Sequence, residues 1–144
     1  MPFVDEIVSH LDSQSTKIAA GTSLFKNAVV ETTGRAVFVI ETPGSPAHDR
    51  FGSALPAMVR PRAQIMTRST KAIGGEGVPA STGTRSLAQD MWEIVTAIKD
   101  QTLSSVYYQR VEPLQDPWLL HHDEAGRAVF VFNIEALRSA TTNA

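Results

Sequence analysis

The sequence predicts an α+β fold, a mostly antiparallel β-sheet with two helices packed on one face, in the order α-β-β-β-α-β-β-β. Three observations predict it. Two stretches carry apolar residues at helical spacing. Six others are short, β-prone and bounded by turn residues. The helical stretches interrupt runs of strands instead of alternating with single strands, which separates this pattern from a parallel α/β fold.

The first helix opens at Pro2, a residue that an initial turn tolerates, and Phe3, Val4, Ile7, Val8 and Leu11 form its apolar stripe. Asp5 and Glu6 stand near the positive end of its dipole. Residues 23–30 then read as a strand. After the turn Thr32-Thr33-Gly34, residues 36–40 (AVFVI) are an unbroken β-prone run, the mark of a strand covered on both faces. Pro43, Gly44, Pro46, Gly52 and Pro56 predict a loop. Residues 60–67 alternate with the period of a strand, and the glycine-rich stretch 72–83 predicts a flexible loop.

Leu87, Met91, Ile94, Val95 and Ile98 form one stripe of the second helix, with Thr84 or Ser86 as its cap. Three strands follow, at 105–111, 118–122 and 127–134, and the last two are joined by the hairpin turn Asp123-Glu124-Ala125-Gly126. The hexapeptide GRAVFV occurs twice, at 34–39 and 126–131. Its plainest account is that both copies are a glycine turn entering a central strand buried on both sides.

At 144 residues the chain makes one domain, spanning 1–144, large enough to bury roughly 70% of its unfolded surface. The absence of cysteine excludes disulfides, thiolate metal sites and a cysteine nucleophile. Thirteen basic and fifteen acidic residues are scattered along the chain, without the dense basic tract of a nucleic-acid reader. The opening residues do not read as a secretion signal, and no run approaches the ~20 apolar residues of a membrane-spanning helix.

Candidate chemistry is sparse. His121 and His122 adjoin Asp123 and Glu124, yet neighbouring strand residues point to opposite faces and do not converge on one ion. Gly74-Gly75-Glu76-Gly77 lacks the lysine-hydroxyl ending of a phosphate loop. Ser9 with His10, and Ser104 with Ser105, stand in no nucleophile motif. The expectation is therefore a protein without catalytic residues, metal or cofactor. Trp92 reads as a core aromatic, whereas Trp118, beside Pro117 at a corner, reads as an interface anchor. Arg60, Arg62, Arg68 and Lys71 give the third strand a basic, solvated end.

The start Phe3-Val4-Asp5-Glu6-Ile7-Val8, the strand running from Ala36 into Glu41-Thr42-Pro43-Gly44, the segment 61–69 (PRAQIMTRS), the second helix and the closing segment 123–134 together span most of the chain. In this composite the sequence resembles the tail-terminator proteins of siphophages, a lambda-like group of minor tail or minor capsid proteins. The resemblance implies a homohexameric ring at the head-proximal end of a long tail. Such a ring stops polymerisation of the major tail tube protein and offers a face to head-completion proteins, while DNA passes through without sequence-specific binding. It also implies a virion protein assembled in the host cytoplasm. The interface residues expected on this reading are Arg68, Lys71, Gly75, Glu76, Gly77 and Trp118. Two alternatives stand beside it: another neck or connector subunit that meets the portal side, and a non-viral enzyme or small-ligand domain of α+β type.

Overall fold

The structure is a computed structural model that describes residues 2–16, 18–32, 34–49, 56–69, 80–124 and 126–139. Its elements are α1 (Phe3–Gln14), β1 (Leu24–Lys26), β2 (Ala36–Asp49), β3 (Pro56–Arg68), α2 (Ala80–Thr96), β4 (Lys99–Leu103), β5 (Val106–Pro113), β6 (Trp118–His122) and β7 (Ala128–Ser139). The α+β class and the expected order are present, with β4 as a further strand, so that the sheet has seven strands where six were expected.

The sheet runs β1-β2-β3-β7-β5-β4, and β6 also pairs with β7. All pairs are antiparallel except β1 with β2. Strand β7 has β3 along one side and two partners in succession along the other. Residues Ala128 to Val131 pair with β6, and Ile134 to Arg138 pair with β5. Both GRAVFV segments deliver interior strands, β2 and β7, and Ala36–Val39 and Ala128–Phe132 are buried throughout. Gly126, at φ +76°, supplies the left-handed residue that the turn into β7 requires.

Alternation divides each strand between two faces. Val37, Val39, Ala63, Ile65, Phe132, Ile134 and Ala136 meet Ile7 and Leu11 of α1 and Leu87, Met91 and Val95 of α2 in one core, so both helices cover the same face. Trp92 packs half-buried against this core, as expected of it. On the opposite face Phe38 stacks on Phe25, with centroids 5.9 Å apart.

Several boundaries depart from the sequence reading. The strand expected over 23–30 stops at Lys26, because Asn27 turns to φ +53° while its side chain accepts from the Glu41 N–H. Much of the stretch read as a loop from Pro43 belongs to β2 and β3. Beyond Val39, β2 is paired on only one side among the described residues, which leaves room for Pro43 and Pro46, and register shifts after Thr42 absorb the distortion. Gly44 is required by this close crossing: a Cβ there would lie 2.6 Å from the Arg60 carbonyl oxygen.

Ala80 to Gly83, read as the end of the flexible loop, lie in α2, and Thr84 and Ser86 are therefore inside the helix instead of capping it. The rest of that loop, 72–79, lies outside the described residues. Strand β4 was missed because Lys99-Asp100-Gln101-Thr102 is polar. It forms by pairing with β5 across a tight turn in which Ser104 and Ser105 both take positive φ, 50° and 69°. Strand β6 occupies the expected residues, whereas β7 continues five residues beyond the expected end at Ile134.

Candidate subunit-contact surface

Strand β6 follows a corner that fixes its position. The Leu114 N–H donates to the Asn133 carbonyl at 2.8 Å, and the Asn133 N–H donates to Gln115 Oε1 at 2.9 Å, so the turn after β5 is pinned to the middle of β7. The chain then runs antiparallel to β7, with Trp118 opposite Val131, Leu119 opposite Phe130 and His121 opposite Val129. Among the described residues β6 pairs on this side alone. Every residue from Trp118 to His122 is exposed, with Trp118 at 44% and Leu119 and Leu120 at 40% each.

Apolar side chains on an unprotected sheet edge invite pairing with another chain, and soluble proteins ordinarily blunt such edges. The register shift between Leu119 and His121 bends β6, yet leaves its first three residues open. The exposed Leu114, at 47%, precedes the same strand.

Across the sheet, α1 and β1 frame a groove of about 600 Å³, lined by Val8, Leu24, Phe25, Ala28 and Val30 and rimmed by Asp5, Asp12 and Lys26. The Lys26 ammonium reaches Asp5 at 2.5 Å, and Asp12 accepts the Ala20 N–H at 3.0 Å. The registers connect this edge with β6. Phe25, Phe38, Met66, Val131 and Trp118 are successive partners in one row across the sheet, and Leu24, Val37, Thr67, Phe130 and Leu119 form the adjacent row.

Two arginines hold the segment between β1 and β2 against the sheet. The Arg68 guanidinium lies over the Phe38 ring, 4.9 Å from its centroid, and donates to the Val30 carbonyl and to Thr32 Oγ1. Burial, and next the positive charge of Arg127, lower its pKa from the ordinary arginine value. Arg127 donates to Glu31, to the Thr32 carbonyl and to Asp123 Oδ2, and the Glu31 carboxylate is the main reason that its pKa is raised. Of the basic, solvated end expected of the third strand, Arg60 and Arg62 remain partly exposed, Arg68 does not, and Lys71 lies outside the described residues. Arg68 is only 4% exposed, and Arg62 is bonded to Glu135 at 2.6 Å. Of the six expected interface residues, Trp118 lies on the exposed edge and Arg68 is buried, while Lys71, Gly75, Glu76 and Gly77 lie outside the described residues.

The remaining candidates are dispersed. His121 and His122 are exposed on β6, and Ser104 and Ser105 form the β4–β5 turn. His10 lines a polar cleft between the helices with Gln14, Asp90, Glu93 and Gln101, and burial lowers its pKa from the usual histidine value. Among the described residues no three His, Asp or Glu side chains form a metal-binding group.

The most deeply buried polar cluster was not visible in the sequence. Glu6, expected as a dipole-facing acid, is fully buried and accepts from the Tyr108 hydroxyl and, at 2.5 Å, from Arg138 Nη1. Its partners lie more than a hundred residues away, and only the assembled sheet brings them together.

Seven chains of solved structures resemble this fold, including one whose name states no activity; it superposes with a TM-score of 0.58 at 9% identity, over 96% of this chain and 94% of its own. That likeness concerns the fold alone. No family model and no curated protein matches the sequence.

Proposed function

We propose that this chain is a structural, self-assembling virion protein without catalytic function. It forms a ring at the head-proximal end of a long phage tail, ends tail-tube polymerisation and joins the tail to the head-completion proteins. The observation that carries self-assembly is β6, an edge strand with Trp118, Leu119 and Leu120 all exposed. An edge of that kind is an association site by its chemistry. The place on a phage tail rests on the resemblance of the sequence to tail-terminator proteins.

A ring needs a contact between two different surfaces of the subunit, repeated until the rotation closes. The exposed β6 edge and the apolar groove beside β1 are two such surfaces, on opposite edges of the sheet. Size-exclusion chromatography with light scattering tests the reading. A closed oligomer, six subunits on the family resemblance, is expected at high concentration or on addition of tail tubes. A monomer under all these conditions overturns it. Pull-down with major tail tube protein separates a tail terminator from a connector subunit that meets the portal side.

A further inference from the structure

We infer that the ring contact is made by β6 of one copy seated against the β1 edge of a second copy, with Leu119 facing the groove between α1 and β1 and Trp118 packing beside Phe25 on the other face of the sheet. This rests on the self-assembly reading and names the surfaces that perform it.

Register is the first support. The row Phe25-Phe38-Met66-Val131-Trp118 runs from one edge of the sheet to the other, and Leu24-Val37-Thr67-Phe130-Leu119 runs beside it. At ~4.8 Å between strands, the five-strand rows place the two edges roughly 20 Å apart. A second copy offering β6 to the β1 edge would continue both rows, with aromatic Trp118 following aromatic Phe25 and Leu119 following Leu24. Cross-strand aromatic and aliphatic neighbours of this kind are the unit of sheet stabilisation.

Chemical complementarity is the second. The groove is apolar inside, and among the described residues its rim carries the carboxylates of Asp5 and Asp12 against the ammonium of Lys26, an acidic balance. Strand β6 is apolar at its start and ends on His121 and His122, whose ring N–H groups are donors suited to carboxylates. Trp118 leaves on the order of 100 Å² exposed, since an aromatic side chain spans about 150–250 Å². A standard interface covers about 800 Å² a side, so Trp118 is the anchor of a contact that also takes in Leu114, Leu119, Leu120 and the walls of the groove.

The absence of native cysteines makes the test direct. Leu119→Cys marks the strand and Ala28→Cys marks the groove, and each variant is treated with a short bismaleimide, alone and mixed, at concentrations where scattering shows oligomer. The contact predicts a cross-linked dimer in the mixture. It also predicts a ladder ending in one closed species for the double variant, and little linkage for either single variant. Linkage of Leu119→Cys to itself overturns the contact in favour of β6 pairing with β6. Oligomers that form but do not link overturn the contact and leave the ring reading intact, whereas a protein that stays monomeric, with tail tubes present, overturns both. A wild-type thermal unfolding transition in each variant confirms that the fold is retained, and any variant lacking it is replaced by its neighbour, Trp118→Cys or Val29→Cys.

Discussion

Glu6 on α1 and Arg138 near the end of β7 meet at 2.5 Å in the interior, 132 residues apart in sequence, and the Tyr108 hydroxyl of β5 donates to the same carboxylate oxygen. Glu6 Oε2 and Arg138 Nε, both buried, have no partner among the described residues. The cluster ties the first helix to the sheet, and a carboxylate and a guanidinium removed from water tolerate the loss of either badly.

Glu6→Gln is therefore expected to destabilise the fold by about 3–5 kcal/mol, the range for a buried pair that loses one member. Chemical denaturation gives the number. Replacing all three groups together, as Glu6→Leu, Tyr108→Phe and Arg138→Met, is expected to recover much of the loss. A triple variant as unstable as the single one would show that the cost lies in packing, not in an orphaned charge.

Alkaline pH acts on the same cluster. Burial first, and then the bond to Glu6, push the Tyr108 hydroxyl far above its ordinary value. The unfolded chain releases this proton near pH 10 while the folded chain keeps it. The contribution is fully present below that pH and is lost as pH rises above it, because the unfolded state then binds fewer protons. Stability measured from pH 8 to 11 should fall less steeply in Tyr108→Phe than in the wild type.

Gly44→Ala puts a methyl group 2.6 Å from the Arg60 carbonyl oxygen and 3.1 Å from Pro61 Cα, both backbone atoms. A loss of about 1–3 kcal/mol is expected, the usual cost of overpacking. Hydrogen exchange should locate the damage in β2 and β3, and unchanged exchange there would contradict the crossing.

Arg127→Lys keeps a positive charge but loses the planar fork that bonds Glu31, the Thr32 carbonyl and Asp123 together. Faster amide exchange is expected across residues 28–32, with a stability loss of about 1–3 kcal/mol for the buried bonds left unmade.

Trp118→Ala is expected to abolish assembly while shifting subunit stability by less than about 1 kcal/mol, since the residue is exposed in the single chain. Scattering reads the first effect and denaturation the second. A large stability loss with assembly retained would assign Trp118 to the subunit interior.

What the sequence disclosed follows from range. Periodicity exposed α1 and α2, and uninterrupted apolar runs exposed β2 and β7, because those patterns record burial directly. The exposed corner at Trp118 was marked by Pro117. Strand β4 carries no such pattern and exists only because β5 folds back on it. The prolines of β2 hid a strand whose outer side carries no ladder beyond Val39 among the described residues. Arg68 read as a surface cation because nothing near it in sequence reveals Val30, Thr32 or the Phe38 ring. The Glu6 cluster was hidden for the same reason.

Strand β7 also sets a schedule. Residues 24–68 supply one group of neighbouring strands and residues 99–122 the others, and among the described residues no ladder joins the two groups except through β7. On the ribosome, β7 is made after every strand it unites. Among the described residues β6 has no ladder partner but β7, so its apolar edge is presented in register with β1 only once residues 128–139 have emerged. On the proposed contact, a nascent chain lacks the surface that would recruit its neighbours until those residues have emerged.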